Sequence, residues 1–287
     1  MFHKKIILGL LCASCLATWS GLAADKTNSI LSNVNLVKGP AKAMMGSVAE
    51  VQVPEGYLFS DSKGTRTLLQ AMGNPTNGRE LGFLAPTNMD WFVVFEFDNI
   101  GFVKDDDKDK LDADAMLKAI KAGTEQSNER RRKMGAPELH VVGWEQPPKY
   151  NPESNNLEWA VRAESQGEPI VNYNTRLLGR KGVMEVSLVV APDKMTTTLP
   201  VFQALMKDYS FKQGERYAEF KSGDKVARYG LAALITGGAA AVAYKTGLLA
   251  KLGALFAKAG KFLILGVIAV FAAIRKIFTG RNASTKR

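Results

Sequence analysis

Two runs of alternating apolar and polar residues, separated by Gly179-Arg180-Lys181-Gly182, restrict the fold of this chain more than any other feature. They read "PIVNYNTRLLGRKGVMEVSLVV" from Pro169 to Val190. A period of two belongs to a β-strand, whose successive side chains point to opposite faces. A connection of four residues joins antiparallel neighbours, because parallel ones need a long crossover. With Leu178 opposite Val183, Arg176 faces Glu185 and Asn174 faces Ser187, while Leu177, Thr175 and Tyr173 meet Met184, Val186 and Leu188. On this register Val171, Tyr173, Thr175 and Leu177 supply a core face. Asn172, Asn174 and Arg176 lie on the other, and two readings of them stand. They are the solvated side of a hairpin held by cross-strand partners, or binding residues that read a partner from the sheet.

Similar runs punctuated by Gly, Asn and Pro recur along the chain. They predict strands at about 48–53, 56–59, 81–85, 91–98, 139–145, 157–164, 169–178 and 183–190, with helices at about 62–72, 112–134 and 193–208. Strands adjacent in sequence and joined by short loops indicate one α+β domain, a mainly antiparallel sheet with packed helices, over residues 25–227. Residues 25–47 have no clear period and read as a leader to it.

Both ends of the chain differ from this middle. Residues 1–24, "MFHKKIILGLLCASCLATWSGLAA", have a basic start, an apolar run and a small-residue end, the pattern of a secretory signal peptide cleaved after Ala23 or Ala24. Residues 228–287 read as a membrane-anchoring segment. Uncharged runs at 229–244 and 262–274 correspond to about 24 and 20 Å of helix, each short of a ~30 Å hydrocarbon core unless flanking Tyr, Lys and Arg extend it. Between them, 245–261 has the pattern of an amphipathic helix. Leu248, Leu249, Leu252, Leu255 and Phe256 fall on one side, and Lys245, Lys251, Lys258 and Lys261 are the candidate membrane-surface cations. One or two spans fit this tail. With one, the positive-inside rule keeps every basic cluster in the cytoplasm. Ala233 and Gly237 are small residues at a spacing that permits homo-oligomer contact through the tail.

Charge follows the same division. The chain has 38 Lys and Arg against 28 Asp and Glu, but ten of the cations lie from Arg228 onward and two in the signal, where there is no acid. The exported domain is therefore near neutral and, once exported, is expected to have no nucleic-acid partner; membrane lipid is the expected one. Both cysteines, Cys12 and Cys15, lie in the signal, and His140 is the single histidine beyond it. Thiol nucleophiles and thiolate metal sites are excluded for the processed chain, and neither a metal nor a cofactor is expected.

Three stretches resemble sites. In "KDDDKDKLDADA", Asp105, Asp107 and Asp109 alternate as in a calcium loop, yet Lys110 stands where the turn glycine belongs and Met116 where the bidentate glutamate belongs. An acidic loop before a helix N-terminus fits better. "ERRRK", 129–133, is the cationic last turn of that helix. "HVVGWEQPPKY" offers Glu145, which with Glu158 is a weak candidate for an acid/base pair on a glycan or peptide.

Taken together, "GYLFSD", "WFVVFEFDNIGFVKDDD", "GWEQPPKY", "VNYNTRLLGRKGVMEVSLV" and "SFKQGERYAEFKSGDKVARYGLAALITGG" resemble the DUF2167 family of uncharacterised, membrane-anchored bacterial proteins, from about Val51 to about Gly238. The resemblance implies an envelope protein with its exported domain first and its membrane segment last. It implies no reaction and no catalytic residue. The leading expectation is a non-enzymatic inner-membrane protein with a periplasmic domain that binds an envelope protein partner. The rivals are a carboxylate-dependent hydrolase of envelope glycan or peptide, and a tail that acts as a channel or membrane-stress sensor.

The processed chain lacks cysteine, so its topology is directly measurable. A cysteine introduced as Ser284→Cys is expected to resist an impermeant maleimide in intact spheroplasts and to react after lysis. Labelling before lysis assigns a second full span.

Overall fold

The structure is a computed structural model that describes residues 34–133 and 135–236. The signal segment, the amphipathic stretch with Lys245, Lys251, Lys258 and Lys261, and the apolar run 262–274 lie outside the described residues.

An eight-stranded antiparallel sheet runs in the order β1-β4-β5-β6-β10-β9-β8-β7. Its strands are β1 (Leu36–Lys38), β4 (Tyr57–Asp61), β5 (Glu80–Pro86), β6 (Phe92–Asp98), β7 (His140–Asn151), β8 (Asn156–Ser165), β9 (Glu168–Leu178) and β10 (Val183–Val190). A second, three-stranded sheet is made of β2 (Ala41–Met45), β3 (Ala49–Val53) and β11 (Tyr209–Phe211). Four α-helices complete the fold: α1 (Ser62–Ala71), α2 (Ala113–Lys133), α3 (Met195–Lys207) and α4 (Leu231–Thr236). The expected α+β class with an antiparallel sheet is what forms. The eight predicted strands and three predicted helices each correspond to an observed element.

Local chemistry sets the helix starts. Asp61 accepts a hydrogen bond from the Gly64 backbone N–H at 3.0 Å, and Asp112 does the same for Ala115 at 3.0 Å, each satisfying one of the donors left over at a helix N-terminus. Arg130 to Lys133 fill the last turn of α2, as the sequence predicts, where cations suit the negative end of the helix dipole, although Arg131 is buried.

Both faces of the large sheet are covered, each by different elements. On one face Val171, Tyr173, Leu177, Met184, Val186, Leu188, Val93 and Phe95 pack with Met45, Val51 and Val53 of the small sheet and with Phe202 and Leu205 of α3. On the other, Leu68 and Leu69 of α1 cover Phe83, Phe92, Val94, Ile170 and Val189. Farther along the same face, Met116 and Ile120 of α2 and Leu231 and Ile235 of α4 cover Leu157, Trp159, Val161, Leu178 and Val183.

Two expectations need correction. Residues 25–47 are not only a leader: β1 and β2 lie inside them, with Ala43 and Met45 buried. Runs of three and five residues are too short to show a period. The segment 229–244 is described as far as Thr236, and there it forms α4, with Leu231, Ala232, Ala233 and Ile235 buried in the domain. Among the described residues, no helix is long and apolar enough to cross a membrane.

Burial of Leu231 gives a stability prediction. Leu231→Ala in the full chain is expected to lower the unfolding free energy of the domain by about 2–5 kcal/mol, the cost of a core leucine truncation. Urea titration followed by tryptophan fluorescence reads it. An unchanged midpoint means that Leu231 does not pack on the domain.

Candidate functional site

The hairpin register predicted from the sequence forms: Leu178 opposes Val183, Arg176 opposes Glu185, Asn174 opposes Ser187 and Tyr173 opposes Leu188. The expected solvated face does not. Asn172, Asn174 and Arg176 are 1%, 4% and 4% exposed, because β9 and β10 are central strands and helices cover the side that the sequence left open to water. Asn174 accepts from the Ser187 hydroxyl at 3.2 Å and donates to the Asn172 carbonyl at 3.1 Å. The polar letters thus form a band between the apolar cluster under α1 and the one under α2 and α4.

That band continues across the sheet as a row of charges that the sequence analysis missed. Glu80 on β5 opposes Glu96 on β6, Glu96 opposes Glu185 on β10, and Glu185 opposes Arg176 on β9. Three carboxylates on adjacent strands repel one another unless each finds a partner. Glu80 accepts from the backbone N–H groups of Asn77 at 2.6 Å and Gly78 at 2.9 Å. Glu96 accepts from the Asn77 side-chain amide at 2.8 Å. Glu185 lies between two guanidiniums, Arg79 at 3.1 Å and Arg176 at 3.2 Å, and Arg79 also reaches Asp98 at 3.1 Å. The Arg176 guanidinium stands 4.8 Å from the Trp159 ring centroid, a cation–π contact that shields it from solvent.

Arg79 and Arg176 together bring two positive charges to Glu80, Glu96, Asp98 and Glu185. Glu96 has the poorest share. Burial, and then the neighbouring Glu185 charge, push its carboxyl up to about 7, against the smaller opposing effects of Arg79 and Asn77. A carboxyl that takes up a proton near neutrality is the main chemical capacity of the row. Its signal in the sequence was "FEFDN", a carboxylate between two phenylalanines inside an apolar strand, where ionised side chains are rarely buried without partners.

The other candidates fall elsewhere. Glu145 accepts both the Nε (2.9 Å) and an Nη (2.6 Å) of Arg162. Glu158 accepts from the Tyr173 hydroxyl at 2.8 Å. The two carboxylates are thus held by different side chains. His140 is exposed beside Glu125 of α2, at 3.0 Å. Asp105 accepts from the Tyr150 hydroxyl, and Asp107 accepts from the backbone N–H of Leu231 at 3.0 Å. The acidic loop does serve a helix N-terminus, but that of α4 as well as α2. Among the described residues no cluster of His, Cys, Asp and Glu is arranged to hold a metal ion.

The hairpin tip has its own role. Arg180 forms a two-pronged ion pair with Asp224 at 2.7 and 2.8 Å, Lys181 pairs with Glu215, and the Arg180 backbone N–H donates to the Glu215 carbonyl. The Arg180 side chain, with the Lys221 backbone N–H, holds the Asp224 carboxyl down at about 2. Gly182 is required there, since a Cβ would stand 2.1 Å from the Asp98 carbonyl oxygen. Backbone bonds between Phe102 and Lys225 and between Ala227 and Phe102, both 2.8 Å, fix the next part of the segment. Residues 209–236 therefore form a strap, bound to the end of the sheet from β11 to α4.

The raised Glu96 makes stability depend on pH. Its folded value lies above the ordinary 4.5, so its contribution is complete below about 4.5 and is lost as pH rises through about 7. Glu96→Gln keeps an acceptor for Asn77 and removes the titration. Relative to wild type, the variant is expected to gain stability between pH 5 and pH 8 by a few kcal/mol, because each tenfold change in proton affinity corresponds to about 1.4 kcal/mol. Urea midpoints at the two pH values measure this, and parallel wild-type and variant profiles refute it.

Solved structures with some likeness to the chain are distant. Cyanobacterial PsbP (CyanoP) from Synechocystis is 12% identical, with a TM-score of 0.36, over 62% of this chain and 92% of that one. The Ran-binding protein Mog1p of Saccharomyces cerevisiae is 10% identical, with a TM-score of 0.32, over 66% and 99%. No curated protein matches the chain. The family described as "Protein of unknown function (DUF2167)" matches residues 37–271, most of the sequence and nearly all of the described fold, and the chain belongs to that family.

Proposed function

We propose that this chain is a bacterial inner-membrane protein whose periplasmic α+β domain binds an envelope partner and passes, through a strap fixed to the domain as far as Thr236, into a C-terminal anchor. The strap is the observation that carries this reading. From Tyr209 to Thr236 the chain is tied to the hairpin tip, to the loop after β6 and to the Asp107 carboxylate, and the last described residues pack in the core. A merely tethered domain has no need of such a segment, because a polar flexible linker would serve. With Leu231 to Ile235 committed to the domain, the anchor lies farther along, and 262–274 is the more apolar remaining run. The lysines between 245 and 261 then meet lipid headgroups, while Ala233, buried in the domain, is withdrawn from any homo-oligomer contact.

The hydrolase reading has less support. It needs two carboxylates facing each other across a cleft, and Glu145 and Glu158 are each engaged by a different residue.

The test adds slack without touching the domain. A ten-residue Gly-Ser insertion after Thr236 leaves every described contact in place. The expected result is a protein present in the membrane fraction at wild-type level, with an unchanged domain melting temperature, that fails to restore the phenotype of a strain lacking the chain. Full restoration overturns the requirement for a direct passage from the strap into the tail. Recovery of the uninserted protein in the soluble periplasmic fraction overturns the anchoring itself.

A further inference from the structure

Five large hydrophobic side chains are exposed among the described residues: Met44, Val142, Val201, Phe220 and Val226. Two of them share one place on the strap. Phe220 lies against Phe102, with ring centroids 4.1 Å apart, and Phe102 forms a backbone bridge with Val226 while stacking on Tyr217 at 4.4 Å. Around this pair the exposed cations are Lys221, Lys225 and Arg228. The acids of the same stretch are turned to internal partners. Asp224 is held by Arg180, and Glu219 accepts from the backbone N–H groups of Gly214 and Arg216. In the adjoining loop Asp105 and Asp107 are engaged by Tyr150 and Leu231, and the exposed Asp106 and Asp109 alternate with Lys104, Lys108 and Lys110.

We infer that this basic and aromatic rim, Phe220, Lys221, Lys225, Val226 and Arg228, is a membrane-surface contact of the folded domain that lies on an anionic phospholipid bilayer. Aromatic and aliphatic groups ringed by cations suit the headgroup boundary, where each cation adds attraction and each apolar side chain leaves water. Position favours lipid over other occupants. The rim lies on the same strap that ends at Thr236, after which the sequence supplies the apolar and lysine-bearing tail, so a bilayer gripped by that tail is within reach of it. The inference rests on the membrane anchoring proposed above.

The experiment uses the full chain carrying Cys12→Ser and Cys15→Ser, with Val226→Cys labelled by an environment-sensitive nitrobenzoxadiazole dye. A second protein carries the label through Val201→Cys, on α3. Each is reconstituted into vesicles of phosphatidylcholine with or without about 30% phosphatidylglycerol, enough anionic lipid to attract a basic surface. In the anionic vesicles the label at position 226 is expected to shift to the blue and to be quenched by doxyl lipid, while the label at 201 stays wet. Adding Lys221→Glu and Lys225→Glu is expected to lower the docked population by about fivefold per cation, the value of roughly 1 kcal/mol each at such a surface. A wet label at 226 on protein that floats with the vesicles overturns the contact and leaves the anchor intact. Equal burial in neutral vesicles overturns its electrostatic basis, and protein that does not float overturns both the contact and the anchor.

Discussion

The pairing of Arg176 with Glu185, across the two central strands of the large sheet, is the constraint from which the rest of the arrangement follows. A slip of one residue would turn every side chain of β9 to the opposite face. Arg176 would then point into the apolar layer beneath the small sheet, and Tyr173 and Leu177 would meet the carboxylates. Neither a buried unpaired guanidinium nor a buried unpaired carboxylate is tolerable, so this register is far more favourable than its neighbours. Once it is fixed, Gly179 to Gly182 must turn where they do, and Arg180 and Lys181 arrive at the end of the sheet where Asp224 and Glu215 wait.

The charged row comes at a cost that the surrounding apolar layers make bearable. The carboxylates of the row all have partners in Arg79, Arg176, Asn77 and two backbone N–H groups, yet they still outnumber the guanidiniums. The surplus falls on Glu96, between Glu80 and Glu185; burial and the Glu185 charge push its carboxyl up to about 7. A sheet built only for stability would place hydrophobic residues there, since well-packed apolar groups often match or exceed a buried ion pair. The row instead links the strand register, the strap-bearing hairpin and the protonation of one carboxyl in a single band.

The strap gives these local facts a common direction. It starts at the small sheet with β11, crosses the hairpin tip, passes the Phe102 ring and ends as α4 in the core shared with α2. Its ion pair between Arg180 and Asp224 and the carboxylate cap from Asp107 lie at successive points along that path. As far as Thr236 the chain is therefore held by specific pairs and is not a free linker.

Much of the fold was legible from the residues alone, because its signals are local. Alternation fixed the strands, Asp61 and Asp112 marked helix starts, and the spacing of "GRKG" placed Arg176 opposite Glu185. The sequence likewise determined that no cysteine follows Cys15 and that a near-neutral middle lies between a basic tail and a signal-like start. Only the tertiary structure decided what lies on each strand. Asn172, Asn174 and Arg176 look like a wet face because alternation reports that two faces differ, not what covers them; α1, α2 and α4 come from distant parts of the chain. Glu80, Glu96 and Glu185 are separated by 16 and 89 positions in sequence and become neighbours through strand order, which no local pattern encodes. The apolar letters at 231–235 likewise suit a bilayer or a protein core equally well by composition. The capping carboxylate of Asp107, more than a hundred residues away, and the packed surface of α2 decide for the core.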